Sequence, residues 1–263
     1  MSALHTAQAI VVRDLSRAFR QKSRLFGGLA RSFMWLLLVA AGFGAITRVD
    51  GASSYQAFVF PGIVSMAALF GAMLTAISTV YDREFGMLRL MLASPAGITA
   101  VLAGRAVAAA AVGVLHGGIV LLTAPLFITV TAAQFASAIG ALVAGAAASS
   151  VLGLLVAAPV RSVENFAAVV NVVLFPLLFL SGALYPTSTM PAWLYAAVRL
   201  NPVTYAVDLM RGALGQPMEF SAATSLAALG VAIVVAFTAA AALFDPELRL
   251  SRAGREATAP KRR

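Results

Sequence analysis

The sequence predicts an all-α protein that crosses a membrane about six times, and three observations carry that expectation. Hydrophobic residues make up 61% of the chain and charged residues 11%, with a mean hydropathy of +0.92. A soluble domain carries roughly a quarter charged residues, so this chain has too little polar surface to cover a water-exposed globule and requires an apolar solvent. Its apolar residues gather into six segments, and its basic residues gather at the ends of those segments. With 263 residues, six spans of about 20 residues and their connections use the whole chain, leaving one transmembrane unit and no separate soluble domain.

The first element, residues 4–26, is amphipathic rather than spanning. Leu4, Ala7, Val11, Leu15, Ala18 and Leu25 recur at helical spacing on one side, and Arg13, Arg17, Arg20 and Arg24 on another. A helix of this kind lies in the headgroup plane, held by anionic lipid; the plainer reading is a solvated start to the chain. The six apolar segments follow near Ser32–Thr47, Ala57–Val80, Val101–Thr131, Phe135–Ala158, Phe166–Leu184 and Ala222–Phe244. The first is short and is expected to begin near Leu25, with Arg31 reaching to the interface. The third holds Pro125, which predicts a kink or an early exit. Gly104, Gly113, Gly117 and Gly118 in the third, and Gly140, Gly145 and Gly153 in the fourth, predict closely packed helices, because small residues let backbones approach.

Topology follows from counting basic residues. With a cytoplasmic N-terminus, the inside holds six before the first span, three at Arg83, Arg89 and Arg105, one at Arg161 and six in the tail at 245–263, for 16 in all. Only Arg48, Arg199 and Arg211 fall outside. An even number of spans with both ends cytoplasmic is the reading this asymmetry demands.

Chemistry is mostly excluded. Without cysteine there are no disulfides or thiolate ligands. His116 is the one ionisable side chain near the middle of a span, and its Gly117-Gly118 neighbourhood suits a packed helix interface better than a ligand. One mid-span histidine makes neither a metal site nor a proton relay. Lys22 precedes Ser23 but follows Gln21, so the chain has no phosphate-binding loop and cannot hydrolyse a nucleotide by itself. The net charge of +9 reflects topology, because no basic groove with stacking aromatics accompanies it, and nucleic acid is not an expected partner.

Two connections are more than turns. On the cytoplasmic side, Asp82 to Leu92 reads as one short amphipathic helix, with Met87, Leu88, Met91 and Leu92 as its apolar patch and Arg83, Glu84 and Arg89 as its charges. Ser94-Pro95 ends it. It either docks into a cytoplasmic partner or anchors a loop at the interface. On the other side, 185–221 contains two short helical patterns, Ala192–Leu200 and Val203–Leu214, broken at Asn201-Pro202. Asp208 and Arg211 are three apart and can pair. Each pattern is too short to span, which predicts an external re-entrant hairpin on the mouth of the bundle.

With these loops in place, the chain resembles the membrane subunits of type-2 ABC exporters. The resemblance rests on Phe58-x-Phe60-Pro61-Gly62-Ile63, Asp82-Arg83-Glu84-x-Gly86 with Ser94-Pro95, Ser181-Gly182-Ala183-x-Tyr185-Pro186, Met190-Pro191 and Asn201-Pro202-x-Thr204-Tyr205-x-x-Asp208-x-x-Arg211. It runs over nearly the whole chain and looks closest to the antibiotic-resistance branch. It implies a permease in a bacterial cell membrane, working with a second permease copy and a separate cytoplasmic ABC ATPase that holds the ATP and Mg, with no cofactor on this chain. The N-terminal helix and Asp82–Ser94 would face the ATPase, the latter as a coupling helix. The hairpin bearing Asn201, Pro202, Asp208 and Arg211 would form an external gate. Cargo would pass between subunits along the second and fifth spans, where Phe60, Phe70, Phe175 and Phe179 either line a lipophilic path or serve as ordinary core and lipid-facing residues. A relay of motion without transport and a secondary carrier are the competing readings.

Overall fold

The computed structural model describes residues 3–39, 42, 54–92, 97–187 and 190–258; for Ala3, Arg24, Val39, Leu74, Arg89, Leu90, Leu92 and 245–258 only the backbone is described. All regular structure among these residues is helical. Helices α1 (Ala3–Arg20) and α2 (Lys22–Met34) open the chain, and α2 runs on as a π-turn over Trp35–Val39. Then come α3 (Tyr55–Glu84), α4 (Met87–Leu92), α5 (Gly97–Leu121), α6 (Ala132–Ala157), α7 (Val163–Phe179), α8 (Ala192–Leu200), α9 (Pro202–Ala213) and α10 (Ala222–Thr258).

Local chemistry explains the starts. Ser54 accepts from the Ala57 amide to cap α3, and Ser162 accepts from Asn165 to cap α7. Thr131 and Gln134 form a reciprocal capping box on α6. Each satisfies amides that a helix start leaves unpaired. Pro125 acts as an early exit: α5 stops at Leu121, a 3-10 turn covers Ala124–Leu126, and the next span begins only at α6.

Among the described residues, four helices are long and apolar enough to cross a membrane: α3, α5 with its 3-10 turn, α6 and the Ala222–Phe244 part of α10. Two shorter apolar helices, Leu25–Leu38 and Val163–Phe179, occupy the places of the expected first and fifth spans. The predicted end of the first span, out to Thr47, lies outside the described residues.

Helix α3 is the axis of the bundle. Every side chain from Ala57 to Met73 is buried, enclosed chiefly by α2, α5, α6 and α9. The contacts on α5 and α6 are made through small residues, as the glycines predict. A Cβ on Gly113 would lie 2.8 Å from the Ala68 carbonyl oxygen, and one on Gly153 would lie 3.1 Å from Ala76 Cβ. Gly140 instead faces open space and serves no packing role. Without a hydrophobic drive between helices in lipid, this close van der Waals fit is what holds the bundle.

Gly62 makes the tightest approach between motif residues. A Cβ there would sit 2.6 Å from Ala183 O and 2.7 Å from Ala183 Cα, both backbone atoms that cannot swing away. Gly62→Ala is therefore expected to destabilise the fold by about 1–3 kcal/mol, the range for overpacking. An unfolding titration of the purified protein checks this.

Two sequence expectations are corrected. The amphipathic start is not one helix over 4–26 but two, because Gln21 (φ −88°, ψ 60°) interrupts it without a side-chain cap. The helix expected over Asp82–Leu92 is also divided. The last turn of α3 carries Asp82, Arg83 and Glu84, and Gly86 at φ +75° breaks the chain before α4. That left-handed conformation is steep for residues with a Cβ and open to glycine. Gly97, at the start of α5, has φ +74°.

Candidate functional site

Asp82 does not face outward from a docking helix. It points into the bundle, 6% exposed, where three arginines converge on it. Arg105 Nη2, from α5, lies 2.5 Å from Asp82 Oδ2, and its Nη1 donates to Thr79 Oγ1 at 3.1 Å. Arg13 Nη2 reaches the same Oδ2 at 2.7 Å, and Arg17 Nη1 reaches Oδ1 at 3.2 Å. Asp14 joins from α1, 2.8 Å from Arg13 Nη2 and 3.8 Å from Arg105 Nη1. Helical spacing builds this cluster: Thr79 and Asp82 are three apart on α3, and Arg13 and Arg17 are four apart on α1. Burial opposes the charge on Arg13, but Asp14 and Asp82 outweigh it and its pKa is raised.

The result is a cluster of three positive and two negative charges tying α1, α3 and α5, with Asp14, Asp82 and Arg105 buried and Arg13 and Arg17 partly exposed at its edge. Helix α4 rests on it, since Met91 Sδ lies 3.3 Å from Arg13 Nη1 and 3.4 Å from Arg105 Nη2. The expected lipid-facing stripe is thus divided. Arg13 and Arg17 turn inward, Arg20 stays exposed, and the side chain of Arg24 lies outside the described residues.

Arg83 and Glu84 grip a different neighbour. Arg83 Nη1 donates to the Ala157 and Val160 carbonyls at 3.1 and 2.5 Å, and its guanidinium lies 4.7 Å from the centre of the Phe244 ring. Carbonyls at a helix C-terminus are the natural partners of a cation. Glu84 Oε2 accepts from the Val163 amide at 2.9 Å, on the exposed first turn of α7. Ser94 and Pro95 lie outside the described residues.

On the opposite end, the motif residues of three segments meet. Tyr55 Oη donates to Leu184 O at 2.7 Å, Arg211 Nη2 donates to Gly182 O at 2.6 Å, and the Arg211 guanidinium lies 4.2 Å from the centre of the Phe58 ring. Asn201 joins α8 to α9. Its Oδ1 caps Val203 N at 3.0 Å, its Nδ2 donates to Leu177 O at 2.7 Å, and Pro202 takes the first helical position, where a missing N–H costs nothing. The pairing of Asp208 with Arg211 does not occur. Asp208 is buried and accepts instead from Glu219 N at 2.6 Å, Phe220 N at 3.1 Å and Ser225 Oγ at 3.1 Å. Backbone donors just ahead of α10 outcompete a side chain on the same helix.

Residues 5–214 match the family model described as ABC-2 type transporter. The chain belongs to the ABC-2 type transporter family. Nodulation protein J of Rhizobium leguminosarum bv. trifolii is 31% identical over 85% of this chain and 86% of its own length. A putative transport permease, ycf38, of Pyropia yezoensis is 26% identical over 79% of this chain and 73% of its own. A probable multidrug ABC transporter permease, YbhR, of Escherichia coli (strain K12) is 28% identical over 60% of this chain and 43% of its own. The chain is accordingly a membrane permease subunit, of a family whose members pair with an ABC ATPase.

Within this permease the four phenylalanines are not brought together. Phe60 is fully buried and stacks on Phe127 with centroids 5.6 Å apart. Phe70 is buried beneath the Arg31 guanidinium, 4.9 Å from its ring centre. Phe175 and Phe179 stack on each other on the open face of α7, 52% and 42% exposed. Only the α7 pair is available to anything outside the chain.

Arg105 and Asp14 were missed as site residues. Arg105 enters the sequence reading only as a topology charge, yet an arginine two turns inside an apolar helix is itself a signal, because a charge there needs a partner. Asp14 gives a weaker one, a single acid within a basic stripe.

Proposed function

We propose that this permease is the export half of an ATP-driven transporter: six spans, both ends cytoplasmic, two copies, and an ATPase bound against α1 and α4. The observation that supports it best is the charge cluster of Arg13, Asp14, Arg17, Asp82 and Arg105, with Met91 of α4 against it. A push on α4 would reach α1, α3 and α5 together through these contacts. Arg83 and Glu84 extend the same attachment to α6 and α7. The hairpin with Asn201, Pro202, Asp208 and Arg211 then serves as the external gate, and the exposed Phe175–Phe179 pair suits a lipophilic or amphipathic cargo, a drug-like molecule or a lipid-linked glycan.

Affinity purification of the permease from its native membrane is the first test: an ABC ATPase subunit should co-purify, and absence of a stable complex overturns the proposal. In inverted vesicles holding that complex, ATP-dependent uptake of a fluorescent amphiphile is expected. Glu84→Ala should lower it several-fold. Glu84→Gln keeps an acceptor for the Val163 amide but removes the charge, so it separates a charge contact with the ATPase from simple capping of α7. A capping role costs about 1 kcal/mol and is restored by glutamine. Orientation has its own test: the chain lacks cysteine, so Pro217→Cys, at an exposed position, should react with a membrane-impermeant maleimide added to intact cells.

A further inference from the structure

Arg31 lies on the open face of α2, and the Phe70 ring of α3, 4.9 Å from its guanidinium carbon, fixes how deep its charge sits. Helix α3 has 30 residues, Tyr55–Glu84, and Phe70 is near its middle, with roughly 21 Å of helix on each side at about 1.5 Å per residue. The helix is therefore about 45 Å long and overhangs a hydrocarbon core of about 30 Å by roughly 15 Å in total. Wherever that overhang falls, Phe70 stays about 7 Å or more inside the core. Rather than reaching back to the interface, Arg31 places its charge at this depth.

A charge inside the hydrocarbon layer needs a partner, and the chain supplies none of opposite sign. Among the described residues Arg31 makes no ion pair or hydrogen bond, and the Phe70 ring is its one polar contact. A ring face attracts a cation but leaves its N–H donors unfilled. A second copy of this chain would not fill them with a carboxylate, because none of the ten acidic residues stands in the middle of a span. On α7, the other short apolar helix, Glu164 is in the first turn, and the exposed polar residue half-way along is an amide, Asn171. The anion must come from outside the chain.

The surface around Arg31 has room for it. Helical side chains lean toward the helix N-terminus, so Arg31 lies over the turn of Gly27, where a Cβ would meet nothing within 4 Å. Phe26, Met34 and Leu38 complete an exposed apolar surface on α2. A guanidinium in such a wall pairs best with an oxyanion that accepts two N–H bonds at once, as phosphate does.

We propose that Arg31 binds the phosphate head of an amphiphile, with Phe70 behind the guanidinium, the head in the notch at Gly27 and the chain on the apolar face of α2. That this amphiphile is the cargo rests on the export reading. The binding does not, and its test uses no ATPase, so either can fail alone.

Trp35 is one helical turn from Arg31, and the only other tryptophan, Trp193, is exposed on α8. Trp193→Phe leaves Trp35 as the reporter. The full chain, in dodecyl maltoside micelles that contain no phosphate, is titrated with dodecyl phosphate, dodecyltrimethylammonium and dodecyl glucoside. Each carries bromine on its second and third carbons to quench the indole at short range. The expected result is saturable quenching by the phosphate, above the non-saturating quenching that all three give by entering the micelle. Arg31→Gln should raise the half-saturating concentration about tenfold or more, and Arg31→Lys, which keeps the charge, should recover part of that loss. Gly27→Leu fills the notch, leaves Arg31 in place and should weaken binding several-fold. A parallel arm with brominated phosphatidylglycerol separates a bilayer lipid from a single-chain phosphate, and saturation by either supports the site. Equal quenching by all head groups, or saturation that survives Arg31→Gln, overturns it.

Discussion

Arg105→Ala is expected to be the most damaging single substitution in the permease, lowering the stability of the folded chain by about 3–5 kcal/mol. The side chain is 2% exposed and holds Asp82 at 2.5 Å and Asp14 at 3.8 Å. Removing it leaves two buried carboxylates facing only Arg13 and Arg17, both more than a third exposed. The loss comes from stranding charge rather than from forfeiting a large net attraction. The double variant Arg105→Gln with Asp82→Asn removes both charges and keeps hydrogen-bonding shape, so it should be more stable than Arg105→Ala alone. Unfolding equilibria in lipid discs for the wild type, Arg105→Gln, Asp82→Asn and the double give the coupling, expected at about 0.5–3 kcal/mol. Purely additive effects would show that the cluster is hydrated and carries little coupling.

Asp208→Ala should be the next most damaging. Its carboxylate serves Glu219 N, Phe220 N and Ser225 Oγ at once and sits at the N-terminal end of α10, where a negative charge is favoured. Hydrogen bonds to a charged group contribute roughly 1.5–3 kcal/mol each, not additively, so a loss on the order of 3 kcal/mol is expected. Asp208→Asn keeps one acceptor and should lose about half. Amide hydrogen exchange is the direct readout. Glu219 and Phe220 should become fast-exchanging in the alanine variant while the middle of α3 stays protected. If those two amides remain slow, Asp208 is not their anchor.

These two residues also show where the sequence could and could not be read. The apolar segments, the exit at Pro125, and the hairpin with its break at Asn201-Pro202 were legible because each rests on a local rule: length, a missing N–H, or a cap. The direction a charge faces is not local. Asp82 occupies an amphipathic pattern that looks outward, but its partners come from α1 and α5, roughly 70 and 20 residues away in the chain. Asp208 and Arg211 have the spacing to pair, yet spacing only permits a contact, and the backbone donors ahead of α10 were the stronger claimants. Gly86 was noted as a motif residue, while its left-handed φ, which divides the expected helix, cannot be read from identity alone.

Helix α4 hangs between two such glycines. Gly86 before it and Gly97 after it both have φ near +75°, and the helix itself is six residues long, about 9 Å. In mechanical terms this is a short rigid bar with one glycine pivot directly before its first residue and a second five positions after its last. A bar of that kind passes a thrust along its length but little torque, so a body seated on it could tilt through a range of angles and still deliver the same push. Stiffening either pivot would narrow those angles without altering the bar.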